Sequence, residues 1–125
     1  MKQIAFIGLL SVLFTSCYQQ ERNCTDFKTG TFEFETYLNG ELVKTTFVRN
    51  DTLEIDYFQG KSDTSSIRWI NPCEYIVKKI HPKNMAEEKA IHMKILSTDD
   101  QTYTFEYGLV GVAKNKQRGT AKKIK

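Results

Sequence analysis

The chain has 125 residues, with 18 basic against 15 acidic side chains and a formal charge of +3 at neutral pH. A length of that order holds one domain and excludes a multidomain machine. So slight an imbalance gives no electrostatic case for a nucleic-acid partner or for any strongly charged surface.

The first element is Met1-Lys2-Gln3, a brief basic start, followed by an almost wholly apolar run from Ile4 to Phe14. Such a run falls within the roughly 7–15 residues of a signal-peptide core and is short of the ~20 that span a bilayer. It ends in Leu13-Phe14-Thr15-Ser16-Cys17. This stretch resembles the lipobox of bacterial lipoproteins, in the loose form ending Ser-Cys found in Bacteroidota; the strict form has a small or aliphatic residue where Phe14 stands. The resemblance implies that residues 1–16 are a signal peptide and that Cys17 is lipidated, with a transmembrane anchor carrying an incidental cysteine as the other reading. One acyl chain, at ~0.8 kcal/mol per buried methylene, holds a protein marginally, whereas several hold it stably. Residues 17–29 are then the lipidated cysteine and a tether. The tether lacks the acidic run of Bacteroidota surface-export signals, so a membrane-anchored protein of the cell envelope facing the periplasm is expected.

Beyond Cys17 two cysteines remain, Cys24 and Cys73. In an oxidising compartment an even remainder suggests a disulfide, against two buried free thiols. Neither sits in a CxxC pair, which argues against a redox enzyme.

From residue 30 to 125 the dominant period is two, the mark of strands. Thr31 to Tyr37 alternates, and Asn39-Gly40 follows, the strongest short hairpin signal. A two-residue turn makes paired positions sum to 79, which sets Phe32 against Phe47, Phe34 against Thr45 and Thr36 against Val43, with Glu35 facing Lys44 on the other side. For the next turn two registers compete. A two-residue loop sets Phe47 against Glu54. A three-residue loop, Arg49-Asn50-Asp51, sets Phe47 against Leu53 and Thr45 against Ile55. Because a slip of one residue flips every side chain, the second is preferred, with Leu53, Ile55 and Tyr57 inside. Gln59 to Asp63 reads as a turn and Ser66 to Ile70 as a strand with Ile67 and Trp69 on one side. Pro72 suits a strand start, and Cys73, Tyr75 and Val77 resume the alternation. Asn84 to Leu96 carries helix formers and then Ile91, Met93 and Ile95 at period two, so it is read as a helical turn or loop to about Lys89 followed by a strand. Tyr103, Phe105, Tyr107 and Leu109 form the longest regular alternation. Gly119 to Ile124 adds a lysine-rich strand expected at an edge. The total is an all-β, single antiparallel meander of about eight short strands, closed as a small barrel or strongly curled. Its inner list of Phe32, Phe34, Phe47, Leu53, Ile55, Trp69, Tyr75, Phe105 and Tyr107 is bulky and predicts a filled interior.

The chemistry-bearing residues are sparse. His81 and His92 belong to no metal-spacing motif, so no metal or cofactor is expected. Glu33, Glu35, Glu54 and Asp56 fall on the outward faces of this register. Paired carboxylates do acid–base work only in a water-poor cleft, so these are read as solubilising. No nucleophile elbow or phosphate-cradling glycine loop is present. The tail from Lys114 to Lys125 holds basic residues and no acid, but no aromatic residue for base stacking, which favours a solvated edge over nucleic acid. Asp51-Thr52-Leu53 resembles the Asp-Thr-apolar site of Bacteroidota O-glycosylation, which makes Thr52 a candidate acceptor.

Taken with the lipobox, Phe27-Lys28-Thr29-Gly30-Thr31-Phe32 after Cys24 and Trp69 before Cys73-Glu74-Tyr75 are similar to a group of small Flavobacteria-type lipoproteins. Its members sometimes carry the label "DNA topoisomerase IV", for which a chain of this length has neither a DNA gate nor an ATP-binding subunit. Gly30-Thr31-Phe32 also resembles, at most, the Gly-x-Trp start of lipocalins, with phenylalanine in place of tryptophan. The expectation is therefore a monomeric, non-catalytic binding or interaction module, anchored to the membrane by lipid, whose partner is an envelope protein or a small apolar ligand. A small envelope hydrolase is the alternative.

Overall fold

A computed structural model describes residues 22–125, so Cys17 and the signal segment lie outside the described residues. Eight antiparallel strands follow one another: β1 (Gly30–Leu38), β2 (Glu41–Arg49), β3 (Leu53–Phe58), β4 (Lys61–Asn71), β5 (Glu74–Lys79), β6 (Ile91–Thr98), β7 (Thr102–Leu109) and β8 (Gln117–Lys123). Each pairs with the next, and β8 returns to β1, so the sheet is a closed barrel. Closure pairs β1 with β8, the two strands that would otherwise be edges, which answers the aggregation hazard of an exposed strand.

The first hairpin has the expected register, with Phe32 opposite Phe47, Phe34 opposite Thr45, Thr36 opposite Val43 and Glu35 opposite Lys44. Asn39 and Gly40 both take positive φ, 53° and 81°, as a two-residue turn matched to strand twist requires. The inner pair Phe32 and Phe47 stacks at 5.1 Å between ring centroids. On the outside Lys44 lies nearest to the diagonal Glu33, at 3.9 Å.

The second hairpin differs from the expected one. Phe47 stands opposite Asp56 and Arg49 opposite Glu54, so Glu54, Asp56 and Phe58 point inward, while Leu53, Ile55 and Tyr57 take the outer face. The cause lies in the turn. The Asn50 side-chain oxygen accepts from Thr52 N (2.9 Å) and Leu53 N (2.8 Å), and Asn50 N donates to Leu53 O (2.9 Å). That Asx turn occupies the residues assigned to a shorter loop and shifts the parity of β3. Glu54 and Asp56 are therefore interior residues and not solubilising ones, and Arg49 ends a strand and not a loop.

Two further expectations change. Residues 24–29 are not tether. Cys24–Phe27 forms a single 3-10 turn whose Cys24 and Phe27 are buried, and it plugs one end of the barrel. Asn23 N is held by the Thr98 hydroxyl (2.7 Å), and Lys123 Nζ donates to Asp26 O (2.6 Å). Nor is β8 an edge: it pairs with β7 along its length and with β1 at Phe32–Lys123 and Glu33–Lys122. Gly30 makes room for this closure, since a Cβ there would lie 2.6 Å from the Lys125 carbonyl oxygen.

Cys24 and Cys73 stand at disulfide distance, 2.05 Å between sulfurs and 5.2 Å between Cα atoms. The link ties the plug to the β4–β5 turn. Around it the core gathers Phe27, Phe32, Phe47, Ile95, Tyr103, Phe105 and Ala121. Among the described residues no helix is long and apolar enough to cross a membrane.

Candidate functional site

The interior divides into two levels. The lower level, against the plug, is built around Arg49. Its side chain is wholly buried, and each of its nitrogens is engaged. Nε donates to Lys28 O (3.0 Å). Nη2 donates to Phe27 O (2.6 Å) and Tyr103 Oη (3.3 Å). Nη1 donates to Glu54 Oε1 (3.0 Å), Tyr75 Oη (2.8 Å) and Tyr103 Oη (3.4 Å). The guanidinium also lies over Phe32 at 4.7 Å and Tyr75 at 4.8 Å. A fully desolvated cation is tolerable only with an opposite charge and a complete set of acceptors, and Arg49 has both. Burial alone would depress its pKa; the Tyr75 and Tyr103 oxygens and Glu54 outweigh that and raise it. Burial pushes the Glu54 carboxyl upward, with Arg49 pulling the other way. The same burial raises both tyrosine hydroxyls.

Through Arg49 the plug carbonyls, β3, β5 and β7 meet at one group. Sequence reasoning misses Arg49 because a three-residue turn takes it out of β2. The signal that finds it is phase: Thr45, Phe47 and Arg49 continue one face of β2.

Above this level the barrel is hollow. A cavity of about 520 Å³ runs from Glu54, Tyr75 and Tyr103 to the β5–β6 connection at Ala86, Glu87 and Lys89. Of the bulky residues expected inside, Leu53 and Ile55 lie on the outer face, and Phe34, Phe105 and Tyr107 wall the cavity without filling it. In the upper level Ser65, Thr45 and Val77 leave space that Leu53 and Ile55 were expected to take. Its walls are chiefly aromatic and aliphatic: Phe34, Phe58, Ile91, Met93, Phe105 and Tyr107. Its volume lies within the ~300–1,000 Å³ of small-molecule sites.

One wall is different. Asp56 on β3 stands directly opposite Asp63 on β4, and Ser65 pairs with Lys79 on β5. Lys79 Nζ is 2.8 Å from Asp63 and 3.2 Å from Glu87. Hydrogen bonds to Asp63 and Glu87 raise the Lys79 pKa, with burial opposing. Asp56 has no side-chain hydrogen bond among the described residues. Burial, then Glu54 and Asp63, push its carboxyl up to about 7.

The other residues singled out in the sequence lie away from this cavity. Glu33 and Glu35 are on the outside. His81 is exposed. His92 is on the outer face, 2.9 Å from Glu74, in a shallow groove of about 390 Å³ with Ile76 and Glu106. Thr52 is exposed in the β2–β3 turn. Among the described residues no group of three or more His, Cys, Asp or Glu is arranged to hold a metal ion.

No protein-family model, curated protein or solved structure matches this chain.

Proposed function

We propose that the protein is a lipid-anchored binding module of the bacterial cell envelope whose barrel takes up a small, largely apolar ligand. The observation that carries this reading is the open cavity of about 520 Å³, walled by aromatic and aliphatic side chains above the Arg49 cluster. A barrel of eight strands is just wide enough to be filled by side chains or to hold one small ligand, and here the upper half is left unfilled. The anchor rests on the lipobox resemblance at Cys17, and the missing acidic run after it supports a periplasmic face. Thr52, exposed in its turn, suits an O-glycan acceptor. An envelope protein as partner would have to use the outer face or the rim, and the cavity favours the small ligand over it.

The alternative, a small hydrolase, has one observation behind it: a carboxyl with a raised pKa in an apolar site, as a general acid needs. The other cavity carboxyls are committed, Glu54 to Arg49 and Glu87 to Lys79, so no second carboxyl is free to share acid and base roles with Asp56. Binding is therefore the better reading.

Native mass spectrometry of the full chain taken from its host envelope tests it. The expected spectrum retains a small molecule, and Val77→Trp, which fills the cavity from β5, removes it. A wild-type chain that carries nothing and binds no apolar probe overturns the reading.

A further inference from the structure

The upper cavity wall is out of electrical balance. Asp56 and Glu87 line the cavity with Lys79, whose ammonium is bonded to Glu87 and to Asp63, which stands beside the wall opposite Asp56; Lys79 and, more weakly, Arg49 reach Asp56 only through space. Below them Glu54 is matched by Arg49. Lys89 lines the mouth but is exposed. Asp56 is thus left facing an apolar space with a like charge across the sheet at Asp63, an arrangement that is destabilising in an empty barrel.

A bound group that brings a positive charge and N–H donors cancels this cost. One that brings a carboxylate adds a further negative charge to the same wall. We propose, building on the binding reading above, that the cavity selects an amphiphile bearing one protonated nitrogen, with its apolar body against Phe34, Phe105 and Tyr107 and its ammonium against Asp56. Charge-assisted hydrogen bonds in a water-poor site are the stronger kind, so the nitrogen sets specificity while the rings supply burial.

The groups that face Asp56 also set the pH response. They are Glu54 on its own strand, Asp63 on β4, Lys79 on β5 and Arg49 on β2, while Tyr75, Tyr103, Glu87 and Lys89 line the same cavity. Burial and the neighbouring carboxylates raise the Asp56 pKa, so its proton competes with the ammonium in acid. Affinity for the amine falls as pH drops from 8 to 5.5, and amine binding releases a proton.

Three probes with one apolar body separate the possibilities: naphthylethylamine, naphthylethanol and naphthylacetate, titrated calorimetrically into the full chain. The amine is expected to bind about tenfold or more tightly than the alcohol at pH 8. Asp56→Asn should bring that ratio to within about twofold. Equal binding of all three, or tightest binding of the acetate, overturns the amine proposal and leaves the binding module standing. No binding of any probe overturns both. Should Asp56→Asn fail to fold, the wild-type pH series still decides, because a pH-independent amine-to-alcohol ratio sinks the role of Asp56.

Discussion

The two ends of this barrel solve the same problem in opposite ways. Both bring charged side chains inside. At the plugged end one cation, Arg49, meets one carboxylate, two tyrosine hydroxyls and two backbone carbonyls, and no charge is left over, although among the described residues the Trp69 indole N–H beside it is buried without a partner. At the open end Lys79 is shared between Glu87 at the mouth and the half-exposed Asp63, and Asp56 is left without a bonded partner among the described residues. The contrast teaches that buried charge is not itself the sign of a site. Complete satisfaction makes structure, and an incomplete set around a cavity makes a place for a ligand.

The largest expected effect breaks the plugged end. Arg49→Met leaves Glu54 buried without its cation and frees the plug carbonyls, and should lower stability by ~3–5 kcal/mol in urea unfolding. Adding Glu54→Leu should recover part of that loss, because an apolar pair of similar volume removes the stranded charge. If the double variant is no better than the single one, the carbonyl contacts dominate. Next comes the Cys24–Cys73 link. Replacing both cysteines by alanine should cost ~4 kcal/mol at the upper end of the chain-entropy estimate, read from the shift in urea midpoint.

The third effect is smaller and opposite in sign. The Asp56 pKa is about 7 in the folded protein, above its unfolded value, so the folded state binds the extra proton between them. Stability therefore falls as pH rises through roughly 4 to 7, and the cost is fully present above that window. Asp56→Asn should be more stable than the parent by ~2–4 kcal/mol at pH 8 and indistinguishable from it at pH 3. A variant that gains nothing at pH 8 would mean that the open end is as well satisfied as the plugged one.

How much of this was legible in the sequence follows from what each inference assumed. The first hairpin was readable because Asn39-Gly40 and both faces of one register agreed. The second was misread because the rule applied was to place as many apolar residues inside as possible. That rule favours Leu53 and Ile55 over Glu54 and Asp56, and it fails where the interior holds ionised groups. Asn50 carried the contrary signal, since a side chain that caps its own turn lengthens the loop. The plug was hidden because Phe27 belongs to no periodic pattern. Its burial depends on acceptors offered to a guanidinium from another strand, a relation between residues far apart in the chain. The cavity was hidden for the same reason as the register. The wrong residues were counted as its filling.

The seam between β1 and β8 has a consequence for the order of events. Every other pairing joins neighbours along the chain, whereas Phe32 and Lys123 come from near its two ends. Local hairpins close cheaply, and ends that distant close late, since loop entropy must be met before their contacts repay it. The hollow does not exist until that final zip is done, so an open seam would present a curled ribbon with no chamber, and hydrogen exchange at Phe32 and Glu33 would report when the chamber comes into being.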